Sequence, residues 1–504
     1  MFLTLLSKEI REHLLTFRFG AALITIVLLS IISTWILGDN YIIRKSTATR
    51  LADSYLQQAR EVRFPSQILP NVQRPPTPLS IIAQGEDYRL GNTVQVRRRS
   101  VPHEADDNLT KNRLLASIPS FDMMLVLMFS VSLFGILLSY DGFSGDRERG
   151  TLKMVCSFAL KRSGIFASKF FAGSIVLSIP ILISFIASLM VMLFFHQITF
   201  SAIQWAAIVV MLLTAILYGM LFITAGLLSS VLVIRSSTSL AIALLFWTLV
   251  VVVIPSGSNF LAPLLKPAYS PEEINSKLQA SSLELMQQRE EFIRTHNISF
   301  SSNGGDWEGA EGLWWFDGYP SWLEDWKTFF IFYEPLCQRY AENIWDLRRK
   351  HLARKIEQRE LSFAVNFVSP AFHLQRAYTA LTVTGYESHA EFMEKCRQYR
   401  HTLLNTFAQK GLFGKNAHRF FTRWELSDFE RPEQYEQRLA ERRAKGIWGP
   451  QIWDPLPEDY VPPFNYESGK PNIEDALWHI VVLLFMTLIA FSAGFVIFFR
   501  YDVR

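Results

Sequence analysis

The chain has 504 residues, of which half are hydrophobic and 19% are charged. Its formal net charge of +4 is small for this length and its basic residues are dispersed, which argues against nucleic-acid binding. The three cysteines, Cys156, Cys337 and Cys396, form no CxxC or Cys/His spacing, so the sequence predicts no zinc site.

Six long apolar runs dominate the sequence. A helix needs about 20 apolar residues to cross roughly 30 Å of hydrocarbon, so each run predicts a transmembrane helix. None has an acidic or basic residue in its interior, which argues against proton- or sodium-driven transport. The predicted fold is an all-α polytopic membrane protein. Its spans are residues 20–38, 121–140, 169–195, 202–233, 236–257 and 476–499.

The residues before the first span predict an interfacial helix. In segment 1–19, Phe2, Leu6, Ile10 and Leu14 share one helical face, while the charged residues lie away from it. This pattern is typical of a helix that lies in the plane of the membrane surface.

Lysine and arginine set the predicted orientation. The N-terminal segment, the connection 141–168 and the tail 500–504 carry basic residues, whereas the short loop around 196–200 has none. The positive-inside rule therefore places both termini in the cytoplasm. Segments 39–120 and 258–475 then form a large extracytoplasmic domain built from two loops.

That domain is predicted to be mainly α-helical. A helix over Lys45–Arg63 runs on from the first span, and alternating residues within Gly85–Arg99 predict a small hairpin. Ser270 precedes a proline and two glutamates, which is an N-cap pattern. The helices predicted in the second loop cover residues 271–295, 323–361 and 389–409, and a proline-rich strap covers 450–463.

Five tryptophans cluster between Asp306 and Trp326. One interpretation is an outer contact loop that meets substrate or the membrane surface, where tryptophan is favoured. The other is a loop whose aromatic side chains fill the domain core. The residues are Trp307, Trp314, Trp315, Trp322 and Trp326.

The chain lacks the common catalytic motifs. It has no P-loop, GxSxG, HExxH or kinase pattern, so no catalytic residue, metal ligand or bound cofactor is predicted. A membrane-anchored extracytoplasmic enzyme is accordingly the weakest of the functional alternatives. Any energy source must lie on another subunit.

The connection after the second span carries a charged motif. Its polar run predicts a short helix, and Leu152, Val155 and Phe158 give an apolar edge for a groove in a partner; a solvated loop is the alternative. The motif residues are Asp146, Arg147, Glu148, Arg149, Gly150, Thr151 and Leu152.

This motif resembles the loop by which permease subunits of ABC-2 type (type V) ABC transporters dock on their ATPase. Lys8-Glu9 in the first helix, Lys161-Arg162, and Lys169 at the start of the third span are similar to that family too. Phe367–Pro370 with Thr384-Gly385, and the tail Arg500–Arg504, resemble a branch with an enlarged extracytoplasmic domain.

The resemblance implies the permease subunit of an ATP-driven exporter in a bacterial cytoplasmic (inner) membrane. Its partners would be an ABC ATPase subunit, which binds ATP and magnesium, a second identical or related permease, and membrane lipid. An alternative is a mechanotransmitter that acts on a periplasmic or envelope partner without transport. A helix continuous from the first span into Lys45–Arg63 favours the alternative, whereas a lined cavity between the subunits favours export. The substrate, and whether Cys337 and Cys396 form a disulfide, stay open.

Overall fold

A computed structural model gives the architecture of the chain. It describes residues 2–62, 64–87, 90–102, 121–152, 154, 162–195, 198–298, 322–414, 416, 420, 437, 440–441, 443–446, 455–467 and 469–500. The helices are α1 Phe2–Leu14, α2 Phe17–Glu61, α3 (residues 123–139), α4 Ser144–Glu148, α5 Arg162–Phe194, α6 Ala202–Leu232, α7 (residues 236–265), α8 Pro271–Thr295, α9 Trp322–Asn366, α10 Pro370–Thr382, α11 Tyr386–Gln409 and α12 Ile473–Arg500.

Six of these helices are long and apolar enough to cross a membrane, which confirms the predicted fold class. They are α2, α3, α5, α6, α7 and α12. Helix α6 lies at the centre, because it packs against the other helices of the bundle except α2. Glycines let the helices approach closely: a Cβ on Gly219 would lie 3.0 Å from side-chain atoms of both Leu177 and Val131.

The second and fifth spans each contain a π-helical turn. Leu127–Val131 interrupts α3, and Thr248–Val253 interrupts α7. A π turn shifts the hydrogen-bond register and leaves carbonyl groups that need other donors. Tyr218 of α6 donates its hydroxyl to the carbonyl of Met128 at 2.9 Å. Each interruption is therefore built into the packing of its neighbours.

Helix α2 is continuous well beyond the length of a membrane span. The predicted first span and the predicted helix Lys45–Arg63 form one helix, Phe17–Glu61. The sheet that follows differs from the predicted hairpin. Thr93–Gln95 is a strand, β2, but it pairs antiparallel with β1, Asn71–Gln73, which lies outside the segment Gly85–Arg99. The prediction missed β1 because the two strands are separated by a long stretch of chain.

The two long connections fold together on one side of the bundle, and we call them the loop domain (residues 62–102 and 266–472). Val72 and Val94 of the sheet pack against Phe392 and Cys396 of α11. Arg98 joins the two connections through an ion pair with Glu334 of α9 at 3.0 Å. The loop domain is thus a helical body made from both connections, as predicted.

Helix α10 was not predicted. Ser369 accepts a hydrogen bond from Phe372 N at the start of α10, and its own hydroxyl donates to the carbonyl of Val250 in the π turn of α7. Thr384, which follows α10, donates to the carbonyl of Ala83 at 3.1 Å. The residues that resemble a family motif therefore anchor α10 between the bundle and the first connection.

A buried histidine pair holds α10 against α12. The Nδ1 atoms of His373 and His479 are 2.9 Å apart, and His373 Nε2 lies 2.8 Å from the carbonyl of Phe367. A carbonyl only accepts, so His373 donates from Nε2, and the neutral form of its ring accepts at Nδ1 from His479.

The two described cysteines are both reduced. Cys337 and Cys396 are free and buried, so they are not joined by a disulfide. Burial raises the pKa of the Cys396 thiol to about 12, which makes it a poor nucleophile.

Of the five tryptophans, those at 307, 314 and 315 lie outside the described residues, and only the helical backbone is described for those at 322 and 326. The two interpretations of that loop stay predictions.

Candidate coupling site

Several chain segments meet at the end of the bundle opposite the loop domain, which we call the termini end. Helix α1 packs along α5, and α4 contacts α7. The last turn of α12 is nearby, because Arg162 donates to the carbonyl of Phe499 at 3.1 Å. The charged motif after the second span lies in this region.

A buried lysine links three of these segments. Lys169 Nζ of α5 lies 3.0 and 3.1 Å from the two carboxylate oxygens of Glu9 in α1. It also lies 2.9 Å from Asp146 Oδ2 in α4. The side chains of Lys169 and Glu9 are each only 8% exposed. One cation thus holds two carboxylates, and it fixes α1 and α4 to the same point of α5.

A second ion pair holds the start of α2. Arg18 donates to Asp141 Oδ2 at 2.8 Å and to the hydroxyl of Tyr140 at 2.8 Å. Both acceptors follow directly after α3. The turn between α1 and α2 is closed by Thr16, whose hydroxyl donates to the carbonyl of His13. The base of α2 is therefore tied to the same connection that carries α4.

The charged side chains of α4 contact the ends of two other spans. Arg147 donates to the carbonyl groups of Val231 and Val233 at 3.0 and 2.7 Å, just where α6 ends. Glu148 accepts from the backbone and the hydroxyl of Ser236, both at 2.9 Å, at the first residue of α7. A cation at a helix C-terminus and an anion at an N-terminus each satisfy free backbone groups and the helix dipole. Helix α4 is thereby fixed to α6 and α7.

Only part of the motif is open to a partner. Glu148, Arg149, Gly150 and Thr151 are exposed, whereas Asp146 and Arg147 turn inward. Gly150 has a φ of +73°, which favours glycine, and a Cβ there would meet no atom within 4 Å. The exposed corner is therefore a turn with free space around it.

One detail of the motif differs from the predictions. Leu152 was expected to contribute an apolar edge to a partner, but it is 3% exposed and lies in this chain's own core. The hydroxyl of Thr151 donates back to the carbonyl of Asp146 at 3.2 Å, which closes the turn. Val155 and Phe158 lie outside the described residues.

In the sequence, Glu9, Asp146 and Lys169 belong to three separate features, and no contact between them was predicted. A signal was available, since a lysine that begins an apolar span needs a counter-charge. Which carboxylate supplies it depends on tertiary packing, because Glu9 and Lys169 are 160 residues apart. Within the described part of the chain, no three His, Cys, Asp or Glu side chains come together as a metal site would require.

Comparison with known proteins gives the family of this chain. The family model described as "ABC-2 family transporter protein" matches residues 3–503. The chain belongs to this family. A curated relative, the "Probable ABC transporter permease protein NosY" of Stutzerimonas stutzeri, is 29% identical over 159 residues, or 31% of this chain. The match covers 54% of that relative, so the chain spans about half the length of the relative.

Membership of this family gives the general role of the chain. It is a multi-pass transmembrane subunit of an ABC transporter. Permeases of this kind are not enzymes themselves.

Proposed function

We propose that this subunit transmits nucleotide-dependent movement of a separate ATPase across the membrane to its loop domain. The observation that supports this most strongly is the single helix Phe17–Glu61, which runs from the termini end through the bundle into the loop domain. A continuous helix resists bending, so a tilt imposed at its base is delivered to its far end.

A chain of contacts joins the exposed corner of the motif to that helix. The corner follows α4, whose Asp146 is bound to Lys169. Lys169 binds Glu9 of α1, and α1 leads into α2 through a short turn. Arg18 connects the base of α2 back to Asp141. A push on α4 therefore reaches α2 through side chains that are already in contact.

The orientation is part of the proposal. The termini end faces the cytoplasm, where an ATPase would dock, and the loop domain lies outside a bacterial inner membrane. Two exposed positions test it: Gln279→Cys in α8 and Arg149→Cys at the motif. On intact cells an impermeant maleimide should label only the first, and the second should react only after lysis. Labelling in the reverse order would refute the orientation.

The proposal is tested by breaking α2 between the bundle and the loop domain. Thr49 is exposed on α2, so Thr49→Pro should kink the helix at a cost of about 3 kcal/mol without disturbing a core. Thr49→Ala is the matched control, since both changes remove the hydroxyl that donates to Lys45. Spin labels at Arg149→Cys and Gln279→Cys report the distance between the two ends.

With the ATPase bound, the label distance should change between nucleotide-free and ATP-bound states. Thr49→Pro should abolish that change and keep ATP hydrolysis, while Thr49→Ala should behave like the parent. A nucleotide-dependent change that survives Thr49→Pro would show that α2 does not carry the movement.

Export between two copies of the subunit is the second candidate. It requires a lined cavity between two copies, as stated above, and is the function that the family resemblance implies. If purified complexes in vesicles moved a substrate while the two label positions kept their distance, export would replace the first candidate.

A further inference from the structure

A cavity where α3 and α7 meet the loop domain is far from the coupling site and has a lining of its own. Its volume of about 690 Å³ is in the range of sites for small molecules. The outer turns of α3 and α7, the last turns of α9, and α10 form its walls. It therefore lies where hydrocarbon gives way to the loop domain.

One wall of the cavity is apolar. It includes Met128, Val251, Pro255, Phe363 and Phe372. Met128 and Val251 belong to the two π turns, so the irregular turns of both spans open onto the same space. Such turns occur frequently at functional sites.

The floor of the cavity is polar, although it lies beside membrane spans. Ser362 donates to Ser258 at 3.2 Å or to Asn259 at 3.1 Å, and Asn366 Nδ2 donates to Ser362 at 3.4 Å. Asn366 is 6% exposed, and its Oδ1 has no hydrogen-bond partner. Turning the amide over would leave the nitrogen unpaired instead. A buried amide atom without a partner is destabilising, so the floor favours an occupant with a polar atom.

The rim of the cavity is cationic. Arg359 is paired with Glu86, and Arg376 with Glu387 at 3.2 Å. Lys355 is exposed, and the described part of the chain offers it no ion-pair partner. An occupant with a negative group would therefore be attracted to Lys355 without displacing an existing pair.

We propose that this cavity binds one anionic membrane phospholipid. An acyl chain would lie on the apolar wall, an ester carbonyl would accept from the Asn366 amide nitrogen once the amide is turned over, and the phosphate would lie near Lys355. The adjoining face of α7 exposes Phe260, Leu264 and Leu265 by 71%, 65% and 67%, which gives a lipid an apolar path into the cavity from the side. A small polar solute would leave the apolar wall without a counterpart. This inference holds whether the subunit moves its loop domain or exports a substrate.

The test is a lipid titration of the full-length detergent-purified chain, followed by native mass spectrometry. The probes are phosphatidylglycerol, which is anionic, and phosphatidylcholine with the same acyl chains. One phosphatidylglycerol should bind per chain, in preference to phosphatidylcholine. Lys355→Ser should weaken phosphatidylglycerol binding about fivefold, as expected for one partly exposed ion pair. Lys350→Ser, at another exposed lysine of α9 outside the lining, is the matched control and should have no effect.

A second variant tests the floor of the cavity. Ser362→Leu removes the hydroxyl that Asn366 contacts and fills space, so it should reduce binding of both lipids at least tenfold. If it fails to fold, Lys355→Ser still decides, because that side chain is exposed and supports no packing. Equal binding of the two lipids, or equal effects of Lys355→Ser and Lys350→Ser, would overturn the proposal. So would a lipid that leaves when two copies assemble, since the partner copy would then be the occupant.

Discussion

Lys169→Met is the sharpest perturbation of the coupling site. Methionine keeps most of the length and the apolar character of the lysine stem, so the packing of α5 changes little. The loss is that of the ammonium group, which lies about 3 Å from Glu9 and Asp146. Without it, two carboxylates face each other over a space that water reaches poorly.

The structure sets the expected magnitude. Removing one partner of a buried ion pair costs about 3–5 kcal/mol, because the other charge stays buried without compensation. Asp146 is 24% exposed and can turn toward solvent, whereas Glu9 is 8% exposed and cannot. We therefore expect the lower limit, about 3 kcal/mol, which is roughly two orders of magnitude in the unfolding equilibrium.

The assay is unfolding of the purified chain in mixed micelles by increasing SDS, followed by loss of helical circular dichroism. Lys169→Met should shift the midpoint strongly, and the triple change Lys169→Met with Glu9→Gln and Asp146→Asn should recover most of the loss. Lys8→Met, one residue before Glu9 and exposed, is the control and should have little effect. If Lys169→Met lies within about 0.5 kcal/mol of the parent, the inference that this cation holds α1 and α4 together is wrong.

Three further predictions concern coupling, pH and thiol reactivity. The double variant Glu148→Lys with Gly150→Pro should uncouple this subunit from its ATPase. The first change removes the acceptor at the start of α7, and the second changes an exposed turn with positive φ. Unchanged ATPase co-purification and unchanged stimulated hydrolysis would contradict this prediction. Burial and the nearby Arg74 lower the pKa of His389 to about 4. The unfolded chain therefore takes up a proton that the folded chain refuses, and the protease resistance of the loop domain should fall as pH drops from about 6.5 toward 4, with a flatter profile in His389→Gln. Cys337 and Cys396 should resist maleimide in the native protein and react after SDS unfolding, whereas fast native labelling would show that they are not buried.

Hydropathy predicted the membrane fold because lipid imposes a simple requirement on composition. Each span had to be apolar over its length, and that property can be read from each segment alone. The helix α9 was predicted for a similar reason, since apolar residues such as Phe329, Tyr333 and Leu336 recur at helical spacing. Helix α10 has 13 residues, and its sequence offered a family motif rather than a long apolar stripe.

The features that the sequence did not reveal depend on residues far apart in the chain. Strand β1 needs β2 as a partner, and Lys169 needs Glu9. Whether the Leu152 side chain points into this chain's core or outward depends on tertiary packing, which no local sequence pattern records. The coupling site was therefore predicted as a segment, while its internal connections required the structure.

The length of α2 has a mechanical consequence. At 1.5 Å per residue, its 45 residues span about 67 Å, of which a membrane accounts for only about 30 Å. Arg18 holds one end, and beside the other end the carbonyl of Val62 accepts from Leu456 N in the strap before α12. If the end at Arg18 acts as a pivot, a tilt of α2 by about 10° would move its other end by roughly 12 Å. The helix would then act as a lever. A displacement at the ATPase no larger than the length of a side chain would move the far end of α2, above the membrane, by about a nanometre.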